Sequence, residues 1–329
     1  MSRSVAVPFA DLPAQNRECA AEFATRAEAI LSSGRFIGGP DVEGFERAFA
    51  AYLGSPHVVA VSSGTAALLL ALKALGIGPG HEVITPANSF AASAAAIHWA
   101  GARPVLADVD PATLLVDPAD VERRITPRTR ALLPVHLYGQ VADMTALGRL
   151  AAAHDLRVVE DACQAHGARA NGTRAGAMSE ASAFSFYPAK NLGAPGDGGA
   201  VAVRDARVAA EIRSLADHGR DPGARYEHRL AGFNFRMNSL PAAFLSAHLP
   251  RLEARNEARR RAAAVYDELL SGIPEVRRLA RPAGTESVHH LYVVRVPRRD
   301  ELRAYLSEHG IETGIHYPVP IHLLAGYAH

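Results

Sequence analysis

Apolar positions along the chain follow two periods that alternate. The short β-branched runs at 57–61, 82–85, 104–107, 131–135 and 157–160 read as strands. The alanine- and leucine-rich stretches at 65–75, 91–100, 118–125 and 144–154 read as helices. Strands alternating with helices predict βαβ units and a mostly parallel sheet covered by helices on both faces. After Asp161 the rhythm changes. The runs 181–186 and 200–203 read as strands joined by glycine-rich loops with no helix between them, which predicts antiparallel members of a mixed sheet. A long helical pattern covers 240–270, with an interruption expected at Pro250 and a solvated charged face that includes Glu257 four residues before Arg261. A strand at 291–296 and a helix at 300–309 then predict a smaller α/β unit. A chain of 329 residues exceeds what one core usually carries. A large domain over 1–245 and a smaller one over 246–329 are therefore expected.

Composition narrows the function. The formal net charge is +1, which gives no electrostatic footprint for nucleic acid or an anionic membrane. The apolar run at 65–75 is too short to span a bilayer, and no apolar segment of the signal-peptide kind follows Met1, so a cytoplasmic protein is expected. Cys19 and Cys163 are far apart and form no ligand motif, which predicts two reduced thiols. The histidines show no metal-ligand spacing, and His289 and His290, adjacent on a predicted strand, should point to opposite faces. Of 35 basic residues only Lys73 and Lys190 are lysine. A chain that uses arginine wherever a charge suffices retains lysine where an amine is needed, and Schiff-base formation is such a task because guanidinium is not a nucleophile. Lys73, late in an apolar helix, reads as a snorkelling side chain.

Five segments carry candidate chemistry. The first, Val61-Ser62-Ser63-Gly64-Thr65-Ala66-Ala67-Leu68, follows a strand and opens a helix. It reads either as a Ser/Thr N-cap or as an anion site in which free N–H groups, the helix dipole and the Thr65 hydroxyl hold a phosphate. In the second, Thr85-Pro86-Ala87-Asn88-Ser89-Phe90, Phe90 is a core residue or a cover for a flat ring. In the third, Val158-Val159-Glu160-Asp161-Ala162-Cys163-Gln164, Asp161 ends a strand where open α/β sheets bind ligands. Its carboxyl group is a local cap or the partner of a pyridinium nitrogen, and Gln164 is placed to reach that ring's phenolic oxygen. The fourth runs from Ala183 to Gly193: a strand delivers Ser185, and a turn set by Pro188 presents Lys190. The glycines of Gly196-Asp197-Gly198-Gly199 then let the backbone return, with a spacing unlike a dinucleotide fingerprint. The fifth, Gly232-Phe233-Asn234-Phe235-Arg236-Met237-Asn238, reads as a loop before a helix.

In this order and at these spacings the segments resemble the DegT/DnrJ/EryC1/StrS family of sugar aminotransferases that depend on pyridoxal 5'-phosphate (PLP). Phe36-Ile37-Gly38-Gly39-Pro40 and Gly314-Ile315-His316-Tyr317-Pro318 match as well, so the resemblance spans essentially the whole chain. It implies a fold-type-I PLP transferase, with a mixed, mostly parallel sheet sandwiched by helices and a smaller C-terminal α/β domain. It implies Lys190 as the Schiff-base lysine and proton shuttle, Asp161 on the pyridine nitrogen, Gln164 on the ring oxygen and Phe90 on the ring face. Gly64, Thr65 and Ser185 would bind phosphate, and Asn234 would reach the phosphate of a neighbouring subunit in a homodimer with shared sites. Arg236, Tyr317 and His322 are implied as looser contacts to substrate or to the donor carboxylate. The activity implied is transfer of an amino group from L-glutamate to a nucleotide-linked keto-sugar, with a 3-keto-6-deoxyhexose favoured. A 4-keto-sugar or keto-cyclitol acceptor is an alternative, and a non-catalytic regulatory or partner protein on the same fold is an alternative of another class. Lys190 separates the chain from the family's dehydratase branch, where histidine replaces the lysine. Three features depart from the family pattern. Pro241 replaces a glutamine inside a first helical turn, where proline is tolerated, and His81 replaces an acid in a surface turn. Family members also continue past the position of His329, so the smaller domain is expected to be incomplete.

Overall fold

The central strands bury both faces, and their side chains divide residue by residue between two layers. In the computed structural model, which describes residues 7–221, 223 and 226–327, seven strands form the main sheet: β1 (His57–Val61), β2 (Glu82–Pro86), β3 (Arg103–Ala107), β4 (Thr129–Leu132), β5 (Arg157–Asp161), β6 (Ala181–Ser185) and β7 (Gly199–Val203). Their order across the sheet is β1-β7-β6-β5-β4-β2-β3. Val59, Val61, Ala181, Ala183, Val201 and Val203 face one core with the helix Gly64–Ala74. Val58, Ala60, Phe184, Ala200 and Ala202 face the other, against Phe45 and Phe49 of the helix Pro40–Leu53. Alternation of period two produces this split, and a sheet covered on both sides therefore reads as a continuous apolar run. Phe45, Phe49, Phe184 and Phe186 stack and meet edge to face with centroids 5.0–5.6 Å apart. All four are fully buried, and each contributes roughly 1.5–3 kcal/mol by burial.

The predicted α/β alternation is present, and the sense of the later strands is now defined. β7 alone runs against the others: it pairs antiparallel with β1 and β6, while β6 is parallel to β5. Six strands therefore end on the same edge of the sheet, the edge at which open α/β sheets bind ligands. The 240–270 pattern resolves into the helix Ser239–His248, a 3₁₀ turn Leu249–Arg251 and the helix Leu252–Leu269. The break falls at Pro250, which cannot donate to the helical ladder, and Pro241 lies in a first turn as expected.

The strand expected over 291–296 requires correction. Only Val294–Arg295 is paired, to Arg277–Arg278, because no longer neighbouring strand lies beside this segment. His289 and His290 lie outside any strand, and His289 has φ +43°, so the opposite-face argument does not apply to them. Among the described residues no helix is long and apolar enough to cross a membrane, and no group of His, Cys, Asp or Glu is arranged to hold a metal ion. Cys19 and Cys163 are both free thiols.

Candidate active site

Four of the candidate segments leave the sheet on the shared edge. After β1, Ser63 caps the helix Gly64–Ala74 by accepting from Ala66 N at 3.1 Å. The N-cap reading is thus correct, and it leaves the backbone N–H groups of Gly64 and Thr65 without intrahelical acceptors at the positive end of the helix dipole. Gly64 is where three segments converge. A Cβ placed there would lie 2.6 Å from Ser185 Cβ and 2.9 Å from Cys163 Sγ. Replacement by alanine would push the Ser185 and Cys163 loops apart. Gly64→Ala is expected to cost about 1–3 kcal/mol, read as a lower urea midpoint; an unchanged midpoint would show that the loops are not in contact.

Asp161 ends β5 almost fully buried. Its Oδ2 accepts from the Ser93 hydroxyl at 2.8 Å, and its Oδ1 accepts from Cys163 N at 3.2 Å. Its neighbour Glu160 points to the opposite face. There Glu160 accepts from His136 Nε2 at 2.9 Å, Gly176 N at 2.7 Å, Met178 N at 3.0 Å, Ser179 Oγ at 2.8 Å and Ser182 Oγ at 3.0 Å. Burial alone would raise the Glu160 carboxyl. The hydrogen bond and charge of His136, with Gly176 and Ser179, outweigh that and hold it below the ordinary range. Two consecutive acids thus divide: one belongs to the structural interior and the other to the site.

Gln164 is held by its oxygen, which accepts from Tyr138 N at 2.7 Å, so its amide nitrogen faces the site and donates to Tyr317 Oη at 3.1 Å. The Tyr317 ring lies 5.6 Å from that of Phe90, which is 57% exposed. Tyr138 Oη donates to His316 O at 2.6 Å. Lys190 follows a tight turn closed by its own N–H to Tyr187 O at 2.8 Å. Gly193 is needed there, since a Cβ would sit 2.3 Å from Pro188 O. The Lys190 amine has no hydrogen-bond partner among the described residues. Burial lowers its proton affinity, and the neighbouring Cys163 and Asp161 act in the opposite direction. An amine of depressed basicity beside a buried carboxyl group is a poised nucleophile and proton carrier.

Asn234 and Arg236 lie on one face of an extended segment outside β1, fixed by Ser62 N to Phe235 O at 2.7 Å. Asn234 is exposed. Arg236 is bound to Asp217 and to Asn234, so its guanidinium is committed within the chain. His322 is exposed on the 3₁₀ turn Ile321–Leu323 and touches none of the other candidates. That turn is attached to the loop before Phe90 through Ile321 N to Ala87 O at 3.0 Å.

Three residues at the site escaped sequence reading: Ser93, Tyr138 and His166. None carries a local signal; Ser93 lies inside an alanine-rich helix, and Tyr138 is defined by its φ of +61°. His166 is fully buried between Phe184 and Phe186, and among the described residues neither ring nitrogen finds a hydrogen-bond partner. Burial, reinforced by the charge of Lys190, lowers it to about 3. The unfolded chain takes up this proton near pH 6.5 and the native chain does not, so stability falls as pH drops from 6.5 toward 3. The loss is about 1.4 kcal/mol per pH unit over that window. His166→Phe is expected to be neutral or stabilising at pH 7 and to show a shallower loss between pH 7 and 5. Urea midpoints at the two pH values measure this; equal slopes for both proteins would refute it.

The assembled edge presents a free amine, a buried carboxyl group and a pair of backbone N–H groups flanked by the hydroxyls of Thr65 and Ser185. An anionic group, a protonated ring nitrogen and a carbonyl carbon on one flat molecule would each meet a complementary partner. Known proteins share the sequence and the fold that carry this arrangement. The chain is 49% identical over 322 residues, 98% of its length and 84% of the relative's, to dTDP-3-amino-3,4,6-trideoxy-alpha-D-glucose transaminase of Streptomyces venezuelae. It superposes on the crystal structure of S. venezuelae DesV in complex with a ketimine intermediate with a TM-score of 0.96, at 49% identity, covering 98% of this chain and 86% of that one. It also superposes on NtdA from Bacillus subtilis with bound cofactor PMP, with a TM-score of 0.90 at 32% identity, covering 98% and 74%. The model of the DegT/DnrJ/EryC1/StrS aminotransferase family matches residues 17–329, and the chain belongs to that family.

Proposed function

We propose that this aminotransferase moves an amino group from L-glutamate to a keto-sugar carried on a nucleoside diphosphate, using PLP. The observation that carries the reading is the convergence at one sheet edge of the unpartnered Lys190 amine, buried Asp161 and the free N–H groups of Gly64 and Thr65. When bound, PLP supplies an aldehyde that condenses with amines and a ring that withdraws electrons from the adjacent carbon. The residues of this chain do the rest. Gly64, Thr65 and Ser185 bind the phosphate, with Asn234 of a second subunit completing that end in a homodimer. Asp161, fixed by Ser93, pairs with the ring nitrogen. Gln164, fixed by the Tyr138 backbone, presents its amide nitrogen to the ring oxygen. Phe90 and Tyr317 cover the open face and limit water. Lys190 carries the proton between the donor's α-carbon and the cofactor. The 3-keto position is favoured by the name of the S. venezuelae relative, whose product bears its amino group at carbon 3.

The test is the visible spectrum of the PLP-loaded protein, first alone, then with L-glutamate, then with a nucleotide-linked 3-keto or 4-keto sugar. Loss of the visible band on adding glutamate, with recovery only on adding the 3-keto sugar, supports the full reading. Recovery with the 4-keto sugar alone moves the acceptor carbon, and a band that glutamate does not alter removes glutamate as the donor.

A further inference from the structure

Arg236 is bound in a way that directs another residue. Its guanidinium contacts Asp217 Oδ1 through one terminal nitrogen at 2.5 Å and Asn234 Oδ1 through the other at 2.7 Å. Asp217 is itself braced on its second oxygen by Arg220 at 3.2 Å. Guanidinium has donors and no acceptor, so the Asn234 amide atom facing it must be the oxygen. The NH₂ end of Asn234, with both its donors, therefore points away from Arg236. The backbone supports the arrangement. Asn234 and Asp217 form an antiparallel bridge, and His218 N donates to Phe233 O at 2.7 Å while Phe235 N donates to Ala216 O at 2.9 Å. Phe233 and Phe235 stack on the opposite face with centroids 4.9 Å apart and ring planes within 1°. An exposed asparagine would ordinarily rotate freely and offer oxygen or nitrogen with equal ease. Here a charge-assisted bond fixes the donor end outward, the orientation that a phosphate oxygen requires and a cation would not accept.

The geometry points to Arg236 as a positioning residue, with Asp217–Arg236–Asn234 forming a relay that presents the Asn234 amide to the cofactor phosphate, rather than as a contact to the sugar or to the donor carboxylate. This rests on the reading that Asn234 binds that phosphate, and the two fail separately. PLP itself is the probe: its equilibrium dissociation constant is measured by titrating the full-length protein, with the KM values for both substrates determined at saturating PLP. Asn234→Ala is expected to weaken PLP binding on the order of tenfold, the scale of a hydrogen bond to a charged group. Arg236→Ala and Asp217→Asn should each weaken it by about three- to tenfold. The Asn234→Ala/Arg236→Ala double variant should be no worse than Asn234→Ala alone, because the two residues act as one unit. Arg236→Lys, which can still donate to both oxygens, should recover part of the affinity.

If Asn234→Ala leaves PLP affinity unchanged, the phosphate reading is wrong. If Asn234→Ala weakens binding but Arg236→Ala does not, and instead raises the KM for glutamate or the nucleotide sugar, the positioning role is wrong and Arg236 contacts substrate. Effects that multiply in the double variant would also overturn it. Should Arg236→Ala not fold, the Arg236→Lys and Asp217→Asn titrations decide the question.

Discussion

Lys190→Ala is expected to lower aminotransferase turnover on the order of 10⁴-fold or more while leaving stability at or slightly above that of the parent chain. The first half follows from chemistry. In the proposed mechanism the lysine amine is both the nucleophile that holds the cofactor and the base that moves the proton, and loss of a positioned acid–base group alone costs about 10²- to 10⁴-fold. Lys190→Arg should be equally inactive, because a guanidinium that stays protonated cannot do either task. The second half follows from burial. Among the described residues the Lys190 amine has no hydrogen-bond partner, and desolvation disfavours its charged form, so removing it from the cofactor-free chain releases a cost rather than breaking a contact. Steady-state turnover of the PLP-loaded protein measures the first half, and urea unfolding curves of the cofactor-free parent and variant measure the second. A small primary amine added to the alanine variant should restore part of the rate, which separates loss of a proton carrier from loss of shape. Substantial turnover in the alanine variant would remove Lys190 from the mechanism.

Glu160→Leu reverses that pattern. Its carboxyl group accepts five hydrogen bonds from His136, Gly176, Met178, Ser179 and Ser182 in a site with no exposed surface. The leucine removes every acceptor and leaves buried donors unpaired. Leaving a buried donor without its acceptor typically costs about 1–3 kcal/mol, and here several donors are orphaned together. The variant is expected to be expressed poorly or to unfold at a much lower urea concentration, although Glu160 has no atom in the site. Glu160→Gln, which keeps one acceptor oxygen, should lose less. The pH dependence has the same sign as that of His166. The Glu160 carboxyl is held below its ordinary range when folded, so its contribution is complete above about pH 4.5 and is lost as pH falls through its lowered folded value. Acid unfolding of the parent chain should therefore begin below pH 6.5 through His166 and steepen below 4.5 through Glu160. A Glu160→Leu protein with the parent's midpoint would mean that this network contributes nothing to stability.

How far the chain is legible can be judged from these same residues. Lys190 stood out because arginine replaces lysine almost everywhere else, a compositional signal that needs no structure. The Ser63 cap and the break at Pro250 were legible because each is a local matter of one side chain and the backbone within a few residues of it. Asp161 was legible as the carboxyl group that ends a strand. The structural role of Glu160 was not, because it depends on the layer that the other face of β5 meets. The 291–296 run has strand composition but forms a two-residue pairing, because a strand requires a neighbour and the neighbour here is only Arg277–Arg278. The family resemblance implied Arg236 as a looser contact to substrate or to the donor carboxylate, and its ion pair with Asp217, nineteen residues away, is a contact that no local pattern records.

The sequence by itself therefore determined the alternation of strands and helices, the helix start after β1, the chemical identity of the amine and the family to which these motifs point. Each of these is written in periodicity, capping or residue type over short stretches. Only the tertiary structure decided that β7 alone is reversed, that Gly64 is required because Ser185 and Cys163 close over it, that Ser93 bonds to Asp161, and that Arg236 joins Asp217 to Asn234. Those facts depend on which strand ends and loops meet across long sequence separations. The meeting is set by packing two apolar layers against one sheet, and no local pattern records it.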